Sequence, residues 1–143
     1  MKKFLCLVLC MSIISIGSIS CAAGYYCPTE SEYRAKQNSF MQKASNPSLS
    51  KSDFLRISNE SEAYDLSVFN NCLGYLKTTP NPDCSKVSML QNGYFSQISS
   101  NGASAKTQVY GALKSLGSKC QAEQSMLRMF LRAYKEKDRF INM

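Results

Sequence analysis

The chain has 143 residues and a mass of 16.0 kDa, enough for one domain of ordinary size and too little for separate catalytic and regulatory modules. With 44% hydrophobic and 19% charged residues and few Pro or Gly, it is not a disordered tail, a collagen-like chain or a multi-span membrane protein. The formal net charge is +7 and there is no histidine, which argues against Ser-His-Asp hydrolases, papain-like thiol enzymes and metallohydrolases, because the commonest general base and metal ligand is missing.

The first residues carry an address. Lys2 and Lys3 precede an uncharged apolar run over residues 4–16, followed by small residues at Gly17, Ser18, Ser20, Ala22 and Ala23. That order is a secretory signal peptide over residues 1–23, and the run turns small and polar before the roughly 20 apolar residues of a membrane anchor. Cleavage after Ala22 or Ala23 fits ordinary signal peptidase. A cut before Cys21 is the rival, since the preceding Gly-Ser-Ile-Ser is a loose lipobox and would leave Cys21 lipidated. The two-lysine start has a bacterial look; Asn59-Glu60-Ser61 becomes a glycosylation sequon only in a eukaryotic secretory chain.

Cysteine arithmetic agrees with export. Cys6 and Cys10 leave with the signal peptide, Cys21 lies at the junction, and Cys27, Cys72, Cys84 and Cys120 remain in the single domain expected over residues 24–143. Four cysteines in an exported chain predict two disulfides, with three pairings open on paper. The favoured pairing joins Cys72 to Cys84 across the loop holding Pro80 and Pro82, and Cys27 to Cys120. A four-cysteine zinc site is disfavoured by the lack of any Cys-x-x-Cys, so no metal or cofactor is expected.

The rest reads as helices. Thr29 and Glu32 form a capping box for a helix over about 30–44, carrying Tyr33, Gln37, Phe40, Met41 and Ala44 until Ser45-Asn46-Pro47 stops it. Ser50 with Asp53, and Asn59 with Glu62, are two further start signals, giving one long helix or two abutting ones through Leu76. After the proline-interrupted loop Thr78 to Asp83, Val87, Leu90, Tyr94 and Ile98 keep the helical period to a break at Ser99-Ser100-Asn101-Gly102. A fourth helix carries Val109, Ala112, Leu113 and Leu116 and is capped at Gly117; a fifth runs from about Ser118 to Asp138. No run alternates with period two, and no hairpin dipeptide or internal repeat is present. The expected fold is all-α, a small bundle of about five helices stapled by two disulfides. Tyr25 and Tyr26 are expected to pack beside the disulfide of Cys27.

The last helix has the clearest surface feature. Arg128, Arg132, Lys135 and Arg139 fall at steps 0, 4, 7 and 11, a narrow cationic stripe at 100° per residue. Met126, Leu127, Phe130, Ala133 and Tyr134 occupy the opposite arc and are expected to face the core, with Met129 and Leu131 on its flanks. Removing Lys2 and Lys3 from 17 basic residues leaves 15 against 10 acidic, a net charge of +5, which suits an acidic protein, an anionic lipid or an envelope polymer. Nucleic acid is a poorer partner for an exported chain without a recognised motif.

Two short strings resemble known families. Ile57-Ser58-Asn59-Glu60-Ser61-Glu62 resembles the Glu-Ser segment around the catalytic acid of lytic transglycosylases, which would make Glu60 a proton donor to a glycosidic oxygen. The glycine-rich segment that follows in those enzymes is absent, and Glu60 and Glu62 read as first-turn helix acids. Cys72-Leu73-Gly74-Tyr75-Leu76 is similar to a segment of some helical, disulfide-bearing periplasmic immunity proteins of type VI secretion. The favoured reading is a non-enzymatic, exported protein-binding protein of the periplasmic accessory or toxin-neutralising type. The alternatives are an envelope-associated lipid- or polymer-binding lipoprotein held through Cys21 and, more remotely, a cell-wall hydrolase using Glu60.

Overall fold

A computed structural model describes residues 24–92 and 98–141, with side chains described for 24–92 and 106–133. The expected signal peptide, Cys21, and the side chains of Lys135 and Arg139 lie outside the described residues. Among these residues every regular element is helical: α1 (Glu30–Ala44), α2 (Lys51–Thr78), the 3-10 segment η1 (Cys84–Leu90), α3 (Ile98–Ser115) and α4 (Gln121–Ile141). The all-α, disulfide-stapled architecture is therefore as expected.

Helix starts follow their local chemistry. The Glu32 amide donates to Thr29 Oγ1 at 3.2 Å and the Thr29 amide to Glu32 Oε2 at 2.7 Å, closing the capping box that begins α1. Ser50 accepts from the Asp53 amide at 3.1 Å and begins α2. The helix then continues without a break for 28 residues, so the Asn59 signal is unused; once the backbone ladder is running, an exposed Asn costs the helix only a fraction of a kilocalorie. Asp83 caps η1 by accepting from the Ser85 amide at 3.1 Å, and the same Ser85 bonds hold its carboxyl below the ordinary value. Gly117, at φ 59°, ends α3 in the left-handed region as expected.

Boundaries differ from expectation in three elements, one being α4, which spans Gln121–Ile141 where about 118–138 is expected. The helical run after Val87 is 3-10 as far as Leu90, and α3, described over Ile98–Ser115, passes through the expected break at Ser99-Ser100-Asn101-Gly102. Ser, Asn and Gly each lower helix propensity by about 1 kcal/mol or less, and the buried stripe of Val109, Ala112, Leu113 and Leu116 anchors the helix downstream.

The core joins Val68, Phe69, Cys72 and Leu76 of α2 to Val87, Met89 and Leu90 of η1, the α3 stripe, and Leu127 and Leu131 of α4. At the outer end of α1 and α2 only Phe40 and Ile57 are buried, while Met41, Phe54 and Leu55 are half or more exposed. Their apolar spacing marked a helix, and the helix extends past its core.

The disulfides join Cys27 to Cys72 and Cys84 to Cys120. The expected pairs, Cys72 with Cys84 and Cys27 with Cys120, do not form, and helix geometry gives the reason. Six further residues of α2 carry the chain about 9 Å past Cys72, and η1 starts at that far end beside the α3–α4 turn that holds Cys120. Cys72 instead faces the segment leading into α1. The same corner is tied by Lys119, whose Nζ donates to the carbonyls of Leu76 (3.3 Å), Lys77 (2.8 Å) and Thr79 (3.0 Å), placing a cation on the last carbonyls of α2.

Candidate functional site

The stripe picked out in the sequence lies on α4, and what the helix buries differs from what its apolar residues suggest. Gln124, Leu127 and Leu131 are the buried positions. Of the arc expected to face inward, only Leu127 does so among the described side chains; Met126 is 59% exposed, Phe130 38%, and Ala133 is also exposed. Met129, expected on a flank, is 63% exposed, while the other flank residue, Leu131, is fully buried.

The rotation of α4 is set at its N-terminus. Gln124 Nε2 donates to the carbonyls of Gly117 (3.1 Å) and Lys119 (2.7 Å), and its amide donates to Cys120 O at 2.9 Å. A buried amide bonded in this way, next to the Cys84–Cys120 disulfide, fixes which side of the helix meets the core. Arg128 comes to lie beside that buried side. It is partly buried, and its Nη2 donates to Gln124 Oε1 at 3.1 Å. Arg132, one turn on, is exposed. Of the four stripe cations, the structure therefore shows one bonded to the core amide and one facing solvent.

The outer face of α4 holds a seam not foreseen as surface. Ala122, Met126, Met129 and Ala133 fall at steps 0, 4, 7 and 11, within about 60° of arc, and all four are exposed. This is the small-and-large apolar spacing by which one helix packs on another. Of these four, Met126 and Ala133 belong to the arc expected to face the core and Met129 to its flank. Arg132 borders the seam on one side and Phe130 on the other. Beyond Phe130 the seam opens into a groove of about 250 Å³ between α4 and η1, where Met126, Leu127 and Phe130 face Ser85 and Ser88.

The remaining candidates have structural roles. Glu60 is exposed and accepts from Arg56 Nη1 at 2.8 Å on the surface of α2, whereas a carboxyl acting as a general acid is tuned by an apolar, desolvated setting. The sulfurs of Cys84 and Cys120 lie within 4.8 Å of a Glu123 carboxylate oxygen, but both are spent in the disulfide and offer no thiolate to a metal. Tyr26 donates to Glu32 Oε1 at 2.6 Å. Together with the Thr29 bonds this pulls the Glu32 carboxyl down to about 2.

Each position of Cys72-Leu73-Gly74-Tyr75-Leu76 has a part in the fold. Cys72 and Leu76 are fully buried, and Leu73 packs against the core. The Tyr25 ring lies so close to Gly74 that a Cβ there would run into it. Tyr75 Oη accepts from the Asp83 amide at 3.0 Å, closing the loop into η1.

No protein family, curated protein or solved structure matches this chain in comparisons with known proteins. The two disulfides belong to an oxidising, exported environment. Among the described residues no helix is long and apolar enough to cross a membrane.

Proposed function

We propose that this chain is an exported, non-catalytic protein-binding protein of the periplasmic accessory or toxin-neutralising type, and that it meets its partner through the outer face of α4. One observation carries the reading: a disulfide-anchored helix exposes Met126 and Met129 in a helix-packing register with Arg132 at their edge. Methionine, aromatic and arginine side chains are enriched where proteins meet, and flexible Met fits itself to a partner's shape. The cationic border and the net charge of +5 expected after removal of residues 1–23 favour a partner with an acidic rim. The similarity of Cys72-Leu73-Gly74-Tyr75-Leu76 to immunity proteins supports the toxin-neutralising form, although in this chain those residues build the fold.

The test places a photocrosslinking residue at Met129, and in a control protein at Phe54 on the far end of α2. Both are expressed in the producing cells. The expected result is one protein adduct specific to position 129, lost when Arg132→Glu is added, with an association rate that falls as salt rises. A lipid adduct from position 129, or identical adducts from both positions, would refute the reading. Arg132 is the residue to reverse, since Arg128→Glu would also break the bond to buried Gln124.

A further inference from the structure

The groove between α4 and η1 is built from two matching faces. Glu123, Met126, Leu127 and Phe130 stand at i, i+3, i+4 and i+7, on one side of α4. Ser85, Ser88 and Gln91 answer at three-residue spacing along η1 and its C-cap, where a 3-10 turn stacks side chains in one row. Glu123 reaches across the groove's end. Its carboxylate oxygen lies within 4.8 Å of the sulfurs of Cys84 and Cys120, which puts it at the start of η1, next to Ser85. Glu123 is partly buried, and among the described residues nothing donates to it.

The polar groups favour one kind of occupant. The Ser85 hydroxyl donates to Asp83 Oδ1 at 2.7 Å and the Ser88 hydroxyl to the Ser85 carbonyl at 2.8 Å, so toward an occupant both oxygens only accept. An ionised Glu123 also only accepts, and the Gln91 amide does either. Neighbouring cations are engaged elsewhere: Lys86 on Pro28 O at 2.8 Å, Lys119 on the end of α2 and Arg128 on Gln124. The carboxylate is thus left without a bonded counter-ion. Met126, Phe130 and buried Leu127 supply apolar lining for an aliphatic stem. A volume of about 250 Å³ is small for a drug-sized ligand and suits one long side chain. We infer that the groove takes an arginine side chain of the partner, its stem along the apolar lining and its guanidinium on Glu123 and the serine oxygens. The inference rests on the reading of α4 as the docking face and extends it: the partner carries a base on the η1 side of the seam and an acid facing Arg132 on the other. Arginine is preferred to lysine because the acceptors stand on both walls, where a flat fork of five N–H donors reaches them together and a compact ammonium does not.

The experiment follows the Met126 and Leu127 methyl signals of the full mature protein by nuclear magnetic resonance during titration with N-acetyl-arginine amide and its lysine, citrulline and glutamate counterparts. The arginine probe is expected to saturate in the millimolar range and the lysine probe to bind about tenfold more weakly. Citrulline, similar in shape but uncharged, and glutamate should not saturate. Glu123→Gln should weaken arginine binding about tenfold with the helical spectrum unchanged, whereas Glu60→Gln, on the surface of α2, should leave it as it is. Linear, unsaturated shifts with arginine, equal responses to citrulline or glutamate, lysine binding as tightly as arginine, or undiminished binding by Glu123→Gln would each overturn the inference. The probes need no partner, so failure to saturate beside a protein adduct at position 129 overturns the groove alone. Saturation without that adduct overturns the docking face and keeps the guanidinium site.

Discussion

Two acids in the α1–α2 hairpin respond to pH with opposite sign. Glu32, held at about 2 by bonds from Tyr26 and Thr29 against an ordinary 4.5, contributes stability that is complete above its unfolded value and is lost as pH falls from 4.5 toward 2. Asp65 is raised, first by burial, even though Tyr33 and Gln37 donate to it. Its contribution is complete below its unfolded value of 3.8 and is lost as pH rises through the raised one. Glu32→Gln should therefore lower the melting temperature at pH 7 and make no difference near pH 2. Asp65→Asn keeps an acceptor for Tyr33 and removes a desolvated charge, so it should equal or exceed the wild type at pH 7 and lose that advantage in acid. Melting temperatures of the three proteins across pH 2 to 7 check both, and parallel curves would contradict them.

The glycine of α2 makes a sharper prediction. In a helix interior, Gly to Ala normally adds about 1 kcal/mol. At Gly74 the new Cβ would enter the space of the Tyr25 ring, so Gly74→Ala should destabilise. In a Tyr25→Ala background the same substitution should stabilise by about 1 kcal/mol, a reversal of sign that reports coupling between the two positions. Urea unfolding of the four proteins measures it, and the same sign in both backgrounds would refute the contact.

At the scale of elements, what was legible in the sequence is what depends on near neighbours. Thr29 with Glu32, Ser50 with Asp53, and Gly117 each act within a few residues, and each marks its helix end as read. The cysteine pairing was not legible, because it depends on where six more residues of α2 carry the chain after Cys72. Nor was the rotation of α4. Met126, Leu127, Met129, Phe130, Leu131, Ala133 and Tyr134 surround so much of the helix that several faces read equally well as core. Gln124, a polar residue that the pattern passes over, selects among them through its bonds to Gly117 and Lys119. The same choice moves Arg128 toward the core and the methionines into solvent, which changes the candidate surface from a cationic stripe to an apolar seam with a cationic edge.

For the molecule as a whole, the two disulfides both secure the C-terminal part of α2, Cys72 within its last turns and Cys84–Cys120 just beyond its end, and differ in access. Cys27 and Cys72 are 8% and 0% exposed, while Cys84 and Cys120 are both partly exposed. Reduction requires a thiolate to reach a sulfur, so under limiting dithiothreitol Cys84–Cys120 should open first. Alkylation and mass spectrometry should then find a species labelled only at Cys84 and Cys120. With sequence separations of 45 and 36 residues, the chain-entropy account assigns each bond about 4 kcal/mol, or a melting temperature lower by roughly 15 °C for a domain of this size. Loss of the first bond should leave α4 partly secured, because Lys119 still holds the end of α2 and Gln124 still caps the turn. Loss of Cys27–Cys72 should cost more than the entropy alone, since it empties fully buried volume at Cys72 and frees the segment that seats Tyr25 on Gly74. Cys27→Ala/Cys72→Ala is thus expected to melt below Cys84→Ala/Cys120→Ala. Simultaneous labelling of all four thiols, or the reverse order of melting, would show that burial does not govern how these two bonds share in holding the fold.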